Sequence, residues 1–110
     1  MKGIMIDRSS NIILENLDIH HIGHEAVHFR YNSSDNIIQN SVISNTGRIN
    51  PGIGEGVYIG SAVPNWPNDQ PDCSNRNKVL NNHFGPNVTA EAIDIKEATQ
   101  HALIRHLKFN

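Results

Sequence analysis

The sequence contains a single cysteine, Cys73, which excludes an internal disulfide and any zinc site built from several cysteines. Aromatic residues make up only 5% of the chain, so aliphatic side chains must supply the core. No apolar run reaches the length of about 18 residues that a transmembrane helix needs, and the start of the chain predicts no signal peptide. The nine Lys and Arg residues are dispersed, and the net charge is −2, so no basic surface for nucleic acid is predicted.

Isoleucine and asparagine are the most abundant residues, with 15 of each. Isoleucine favours strands, asparagine favours turns, and strong helix formers are few. The composition therefore predicts an all-β chain of many short strands separated by turns.

Four apolar pairs recur along the chain, and the members of each pair are two residues apart. They are Ile4/Ile6, Val27/Phe29, Val57/Ile59 and Ile93/Ile95. This spacing is that of inward-facing positions in a strand. A second pattern follows each pair, with an apolar, a polar and an apolar residue at fixed offsets. Its copies are Leu14/Asn16/Ile19, Ile38/Asn40/Ile43, Val79/Asn81/Phe84 and Ile104/His106/Phe109.

The repeat length predicts a parallel β-helix. The pairs begin 23, 30 and 36 residues apart, and the extra residues fall in two segments rich in Gly, Pro, Asn and Ser, at about 47–54 and 61–76. The underlying coil of 23 to 25 residues suits strands that stack at about 4.8 Å. We predict that residues 1–110 form one right-handed parallel β-helix of about four coils, with loop insertions at those segments.

Two further features follow from this stacking. Asn16, Asn40 and Asn81 fall in one column, where their side-chain amides are predicted to hydrogen-bond to one another and to the turns. The end coils expose strand edges, and neither terminus has the pattern of an amphipathic cap. We therefore expect a segment of a longer β-helix, or end-to-end stacking of copies.

The segment His24-Glu25-Ala26-Val27-His28 matches the zinc-binding helix of metalloproteases. That motif requires a helix, because only there do both imidazoles lie on one face. The alignment instead assigns Val27 and Phe29 to a strand, in which the two histidines would be roughly 13 Å apart. A zinc peptidase is therefore the weakest hypothesis.

Three glutamates, Glu25, Glu55 and Glu91, form a column just before the first strand of their coils, with Lys2 at the same position in the first coil. Stacked carboxylates repel one another by on the order of 1 to 3 kcal/mol per adjacent pair. A bound Ca²⁺ would offset this repulsion, since it accepts carboxylate oxygens in flexible geometry. The alternative is that the glutamates bind turn amides and point partly into water.

The outward face of the same strands carries candidate acids, bases and anion binders. They are His28, Tyr58 and Asp94 in one column and Arg30 and Lys96 in another. Solvated strands carry such residues too, so the face is either functional or merely exposed. Trp66 lies between two prolines in the following loop and can either stack on a sugar ring or anchor its own loop.

The segment Thr89-Ala90-Glu91-Ala92-Ile93-Asp94-Ile95-Lys96 resembles the β-helix polysaccharide lyases of the chondroitinase B and alginate lyase type. The resemblance implies that Glu91 binds Ca²⁺ and that Lys96 abstracts a proton made acidic when Ca²⁺ neutralises the substrate's uronate carboxylate. The family usually has a second acidic ligand where this chain has Thr89, and its arginine comes from the next coil, where Arg105 is available. The whole chain is similar to the secreted pectate-lyase-like superfamily, which implies an extracellular or periplasmic location.

The first hypothesis is a Ca²⁺-dependent lyase that cleaves a uronate-containing polysaccharide by β-elimination. Its candidate residues are Lys96, Arg30 and His28 for catalysis, Tyr58, Trp66 and Asp94 for substrate binding, and Glu91, Glu55 and Glu25 for the metal. The second hypothesis is a non-catalytic β-helix segment that binds glycan or extends a larger solenoid.

Overall fold

A computed structural model describes all 110 residues and contains twelve short strands, three 3-10 helices and no α-helix. The strands of the first coil are β1 (Ile4–Asp7), β2 (Ile13–Glu15) and β3 (Asp18–His20), and those of the second are β4 (Val27–Arg30), β5 (Ile37–Gln39) and β6 (Val42–Ser44). The third coil has β7 (Val57–Ile59), β8 (Lys78–Leu80) and β9 (His83–Phe84), and the fourth has β10 (Ile93–Ile95), β11 (Leu103–Arg105) and β12 (Lys108–Phe109). No helix has the length and hydropathy that a membrane crossing requires.

The strands form three parallel sheets, each with one strand from every coil. The first sheet is β1-β4-β7-β10, the second β2-β5-β8-β11 and the third β3-β6-β9-β12. The predicted registers are confirmed: Val27 pairs with Ile4 and Val57, Ile38 with Leu14 and Val79. The chain is a parallel β-helix of four coils, as the repeat predicts.

The column of Asn16, Asn40 and Asn81 lies at the corner between the second and third sheets. These residues and His106 have φ of 56, 52, 56 and 55°. Asparagine tolerates this left-handed conformation better than most residues, which explains its recurrence. The predicted amide ladder is wrong, because the side chains of this column make no hydrogen bond to one another; the requirement is on the backbone.

Side-chain amides do bridge coils at other, buried positions. Asn36 Oδ1 accepts from the backbone N–H of Ile12 at 2.9 Å, and Asn77 Oδ1 accepts from that of Asn36 at 3.0 Å. Asn82 Oδ1 accepts from Ser41 N–H at 3.0 Å. All three amides are buried. Removal of any one of them would leave a backbone N–H of a turn without its partner, at a cost of about 1–3 kcal/mol.

The hydrophobic core lies in the second and third coils. Its completely buried members are Ala26, Val27, Phe29, Ile38, Ile43, Val57, Ile59 and Val79. In the fourth coil the equivalent positions are uncovered, with Ile95, Ile104 and Phe109 exposed by 44%, 37% and 62%. This apolar edge is compatible with further stacking, which stays a prediction.

The 3-10 helices lie in the two segments predicted as loops. One spans Pro51–Ile53, and the others span Val63–Asn65 and Pro67–Asp69. The segment 24–28 contains no helix, and its last two residues, Val27 and His28, are the first two of β4. The metalloprotease pattern is therefore a chance match, as its position in the repeat predicts.

Candidate functional site

The glutamate column is confirmed by the backbone pairing just before the first sheet. Ala26 N–H donates to the carbonyl of Glu55 at 2.9 Å, and Gly56 N–H donates to that of Glu91 at 3.1 Å. Gly3 N–H donates to the carbonyl of Glu25 in the same way. The three glutamates thus occupy equivalent positions in successive coils.

Glu55, Glu91 and Asp94 form an acidic group at the fourth-coil end of this column. Each offers a carboxylate oxygen, and these oxygens lie within 4.8 Å of one another. Glu55 is only 5% exposed, and its Oε1 has no hydrogen-bond partner. Burial raises the pKa of Glu55, and the negative charges of Asp94, Glu25 and Glu91 raise it further. These three residues can hold a metal ion.

Glu25, predicted as a third metal ligand, lies outside the acidic group and has partners of its own, Lys2 and His28. Its Oε1 is 3.4 Å from Lys2 Nζ, and its Oε2 is 3.1 Å from His28 Nδ1. Burial alone would raise the pKa of Glu25, but the contact with His28 and the charge of Lys2 lower it to about 2. Asp94, predicted as a substrate contact, provides the third carboxylate instead.

His28 is buried, and both of its ring nitrogens face protein groups. Nε2 lies 2.6 Å from the carbonyl of Gly60, and because a carbonyl only accepts, Nε2 carries the proton. The ring packs against Tyr58 with centroids 4.2 Å apart. His28 therefore connects Glu25 to Tyr58 and to the turn at Gly60; its predicted part in catalysis stays a prediction.

Lys96 lies beside the acidic group and faces Tyr58. Its Nζ is 3.3 Å from Asp94 Oδ2 and 5.4 Å from the centre of the Tyr58 ring. Burial lowers the pKa of Lys96, but the hydrogen bond to Asp94 and the proximity of Tyr58 raise it overall. Burial raises the pKa of Tyr58, so its phenol stays protonated at neutral pH. The fold thus brings three of the predicted residues together.

Arg30 lies in the second coil, one coil from Tyr58 and two coils from Lys96. Its guanidinium binds Asp7 through two hydrogen bonds, at 2.7 and 3.3 Å, and stacks over the Tyr31 ring at 4.3 Å. Arg105, the arginine suggested by the resemblance, is exposed on the second sheet and not on the face that carries Lys96. Thr89 donates to the carbonyl of Pro51 at 2.9 Å and so ties down the 47–54 loop.

A groove of about 430 Å³ runs along this face. Its lining includes Lys2, Glu25, His28, Arg30, Tyr31, Glu55, Tyr58 and Ser61. The cations of this lining are Lys2 and Arg30, and its carboxylates are Glu25 and Glu55. The acidic group and Lys96 adjoin the groove through Glu55 and Tyr58.

Asp72, a residue that the sequence did not single out, anchors the 61–76 loop to the groove. Its buried carboxylate accepts four hydrogen bonds: Oδ2 from Tyr31 N–H at 2.8 Å and Ser61 Oγ at 2.7 Å, Oδ1 from Asn32 N–H at 2.9 Å and Ser74 Oγ at 2.7 Å. Burial raises the pKa of Asp72, but these hydrogen bonds outweigh it and lower the pKa. An Asp in a Pro-rich and Asn-rich loop looks like an ordinary turn residue, so the sequence carried no signal for this role.

Trp66 is half-buried, and its indole N–H donates to the carbonyl of Ser61 at 3.0 Å. This contact anchors the loop, which is the second of the two roles that the sequence left open. A role in stacking on sugar stays a prediction.

No protein-family model matches this chain, and no curated protein matches it. The chain is similar to a lyase of known structure. That protein is the alginate lyase from Paenibacillus sp. str. FPU-7, with 46% sequence identity and a TM-score of 0.95. The match covers 99% of this chain and 36% of the lyase, so the chain spans about a third of the length of that enzyme. The similarity therefore includes every residue of the groove described above.

Proposed function

We propose that this chain carries the active site of a polysaccharide lyase that cleaves a uronate polymer of the alginate class by β-elimination. The observation that supports this most strongly is the position of Lys96 beside three clustered carboxylates, on a chain that is 46% identical to an alginate lyase. Because the chain spans only 36% of that enzyme, other parts of a longer protein are expected to complete the substrate path.

The carboxylates of Glu55, Glu91 and Asp94 fit a calcium ion. All three offer hard oxygen ligands, and Ca²⁺ tolerates the irregular geometry that three side chains from two coils provide. The buried Glu55 Oε1 has no partner among the protein's own groups, and an unpaired buried carboxylate is costly without a cation. When bound, Ca²⁺ would neutralise the uronate carboxylate and make the adjacent C–H more acidic.

Lys96 is the proposed base. Because the contact with Asp94 raises the pKa of Lys96, the amine must first lose its own proton to solvent. The neutral amine then takes the proton from the carbon next to the uronate carboxylate, a carbon–carbon double bond forms to the neighbouring carbon, and the bond to the glycosidic oxygen breaks. The ion pair with Asp94, 3.3 Å from Nζ to Oδ2, holds the amine beside the acidic group.

Tyr58 is the proposed acid. The departing glycosidic oxygen needs a proton, and Tyr58 carries a protonated phenol on the same face as Lys96. His28 packs on the Tyr58 ring and holds it in position. Arg30, two coils from Lys96, is proposed to bind a uronate carboxylate further along the chain of sugars.

The test is the absorbance of the unsaturated uronate product with alginate, pectate or dermatan. Lys96→Ala is expected to abolish the signal, and Lys78→Ala, which removes an exposed lysine of the second sheet, is expected to leave it unchanged. Absence of product from every uronate polymer, or full activity in Lys96→Ala, would contradict the proposal.

The alternative is a non-catalytic segment that binds glycan or extends a larger solenoid. The uncovered apolar edge of Ile95, Ile104 and Phe109 favours it, since this edge is suited to stacking against another coil. In that case Lys96→Ala has no effect on any activity, and Trp66→Ala weakens glycan retention.

A further inference from the structure

The basic residues of the third and fourth coils are concentrated on the sheets that do not carry the groove. Residues 73–86 and 98–110 contain four Lys or Arg residues, Arg76, Lys78, Arg105 and Lys108, and no Asp or Glu. Both segments contribute strands of the second and third sheets. Coil stacking thus collects cations that are dispersed in the sequence.

The corner between these sheets forms what we call the basic edge, made of His83, Arg105, His106 and Lys108. Lys108 pairs with His83 in register, while the next pair, Phe109 and Phe84, packs ring against ring at 5.9 Å on the inward side. Alternation along the strands therefore directs Lys108 and His83 outward. Arg105, His106 and Lys108 are exposed.

No carboxylate balances the basic edge. The ion pairs of the protein involve Lys2, His28, Arg30, Arg76 and Lys96, and neither Arg105 nor Lys108 takes part in one. Both cations are therefore free to bind an external anion.

A groove of about 440 Å³ lies along this edge, and its lining combines one lysine and two histidines with amides and a hydroxyl. It includes His83, His106, Lys108, Asn40, Asn81 and Ser41. The side chains of Asn40 and Asn81 make no hydrogen bond within the protein, because these residues serve the turn through their backbone conformation. Their amides can therefore bind the hydroxyl groups of a ligand.

We propose that the basic edge is a second binding surface for an acidic polysaccharide, separate from the groove on the first sheet. A uronate polymer carries a carboxylate and several hydroxyls on each sugar, which matches a surface of unpaired cations and free amides. The identity of the polymer rests on the proposed function. Because the edge is the corner of the coil between the other two sheets, only a long chain can contact both surfaces, and the second contact then adds avidity.

The test measures retention of the protein in gels that contain alginate, in a Lys96→Ala background so that the polymer is not cleaved. Lys108→Glu is expected to weaken retention roughly fivefold, and Arg105→Glu with Lys108→Glu more strongly, since each reversal replaces an attraction with a repulsion. Arg48→Glu is the matched control, because Arg48 is exposed, lies outside this surface and changes the net charge equally. All of these sites are exposed, so the melting temperature should not change.

Equal loss of retention in Lys108→Glu and Arg48→Glu would overturn the proposal, since net charge alone would then explain binding. So would equal retention in gels that contain single-stranded DNA, because the surface would then recognise charge and not sugar. Cleavage assays separate this proposal from the proposed function. Lys108→Glu should lower activity on long polymer and leave activity on short oligosaccharides unchanged. If the parent protein cleaves no polymer but is still retained in alginate gels, the lyase proposal is contradicted and the second binding surface is supported.

Discussion

Replacement of Asp72 by Asn tests whether one buried carboxylate holds the groove wall. The side chain accepts two donors on each oxygen, one backbone N–H and one serine hydroxyl. An amide retains one oxygen and turns its NH₂ toward the other two donors. The serine hydroxyl can rotate to accept from this NH₂, but the backbone N–H cannot, so one partly buried N–H loses its partner, at about 1–2 kcal/mol.

The two hydrogen bonds that the retained oxygen accepts also weaken, because a charged acceptor is worth about 1 kcal/mol more for each bond. The total loss in the free energy of unfolding is therefore about 3–4 kcal/mol, measured by urea denaturation with unchanged m-value. Asp69→Asn is the control, since Asp69 is an exposed acid of the same loop, and it should change stability by less than about 0.5 kcal/mol. A loss below about 1 kcal/mol in Asp72→Asn, or an equal loss in both variants, would refute the reasoning.

The remaining predictions concern the glutamate column and the turn asparagines. Glu55→Gln should raise stability in the absence of calcium, because it removes a buried charge that is repelled by its neighbours. Calcium at 100 times its Kd should stabilise the parent protein by about 2.7 kcal/mol, seen as a rise in melting temperature, and the variant should lose this response. An unchanged calcium response would contradict the assigned site. The pKa of Glu25 is lowered from 4.5 to about 2. Its ionised form should therefore contribute about 3 kcal/mol to the free energy of unfolding, fully present above pH 4.5 and lost as the pH falls toward 2. Glu25→Gln should make the free energy of unfolding less dependent on pH in that range, and an acid profile parallel to that of the parent protein would count against the assignment. Asn40→Ala should destabilise the fold by about 1 kcal/mol in thermal denaturation and Asn40→Gly by much less, since only the backbone conformation is required; equal losses in the two would point to the amide instead.

The fold could be predicted because inward positions must be apolar in every coil. Val27, Val57 and Ile93 sit in register, and once they are aligned, the residues two places earlier are also aligned. The glutamate column therefore follows from the core pattern alone. The same alignment predicts that Tyr58 and Asp94 are neighbours, which the pairing of β7 and β10 confirms.

The partners within the site could not be predicted from register, because they depend on where each side chain turns after it leaves the strand. Alignment cannot distinguish Glu25, which turns to Lys2 and His28, from Glu55, which turns to Asp94. Asp72 was missed for a related reason. It lies in a loop with no repeat, and its donors come from the preceding coil and from both ends of its own loop.

Glu25 and Glu55 show how one column acquires two functions. Both are buried to a similar extent, and both stand two residues before a strand of the first sheet. Their pKa values nevertheless move in opposite directions, because the neighbours of Glu25 are Lys2 and His28, whereas those of Glu55 are carboxylates. Glu25 therefore already has a cation beside it, Lys2, whereas Glu55 and Glu91 have no ion-pair partner. Lys96 lies two residues after Asp94, at the same end as Glu55 and Glu91, so the proposed proton abstraction is assigned to that end and not to the column as a whole.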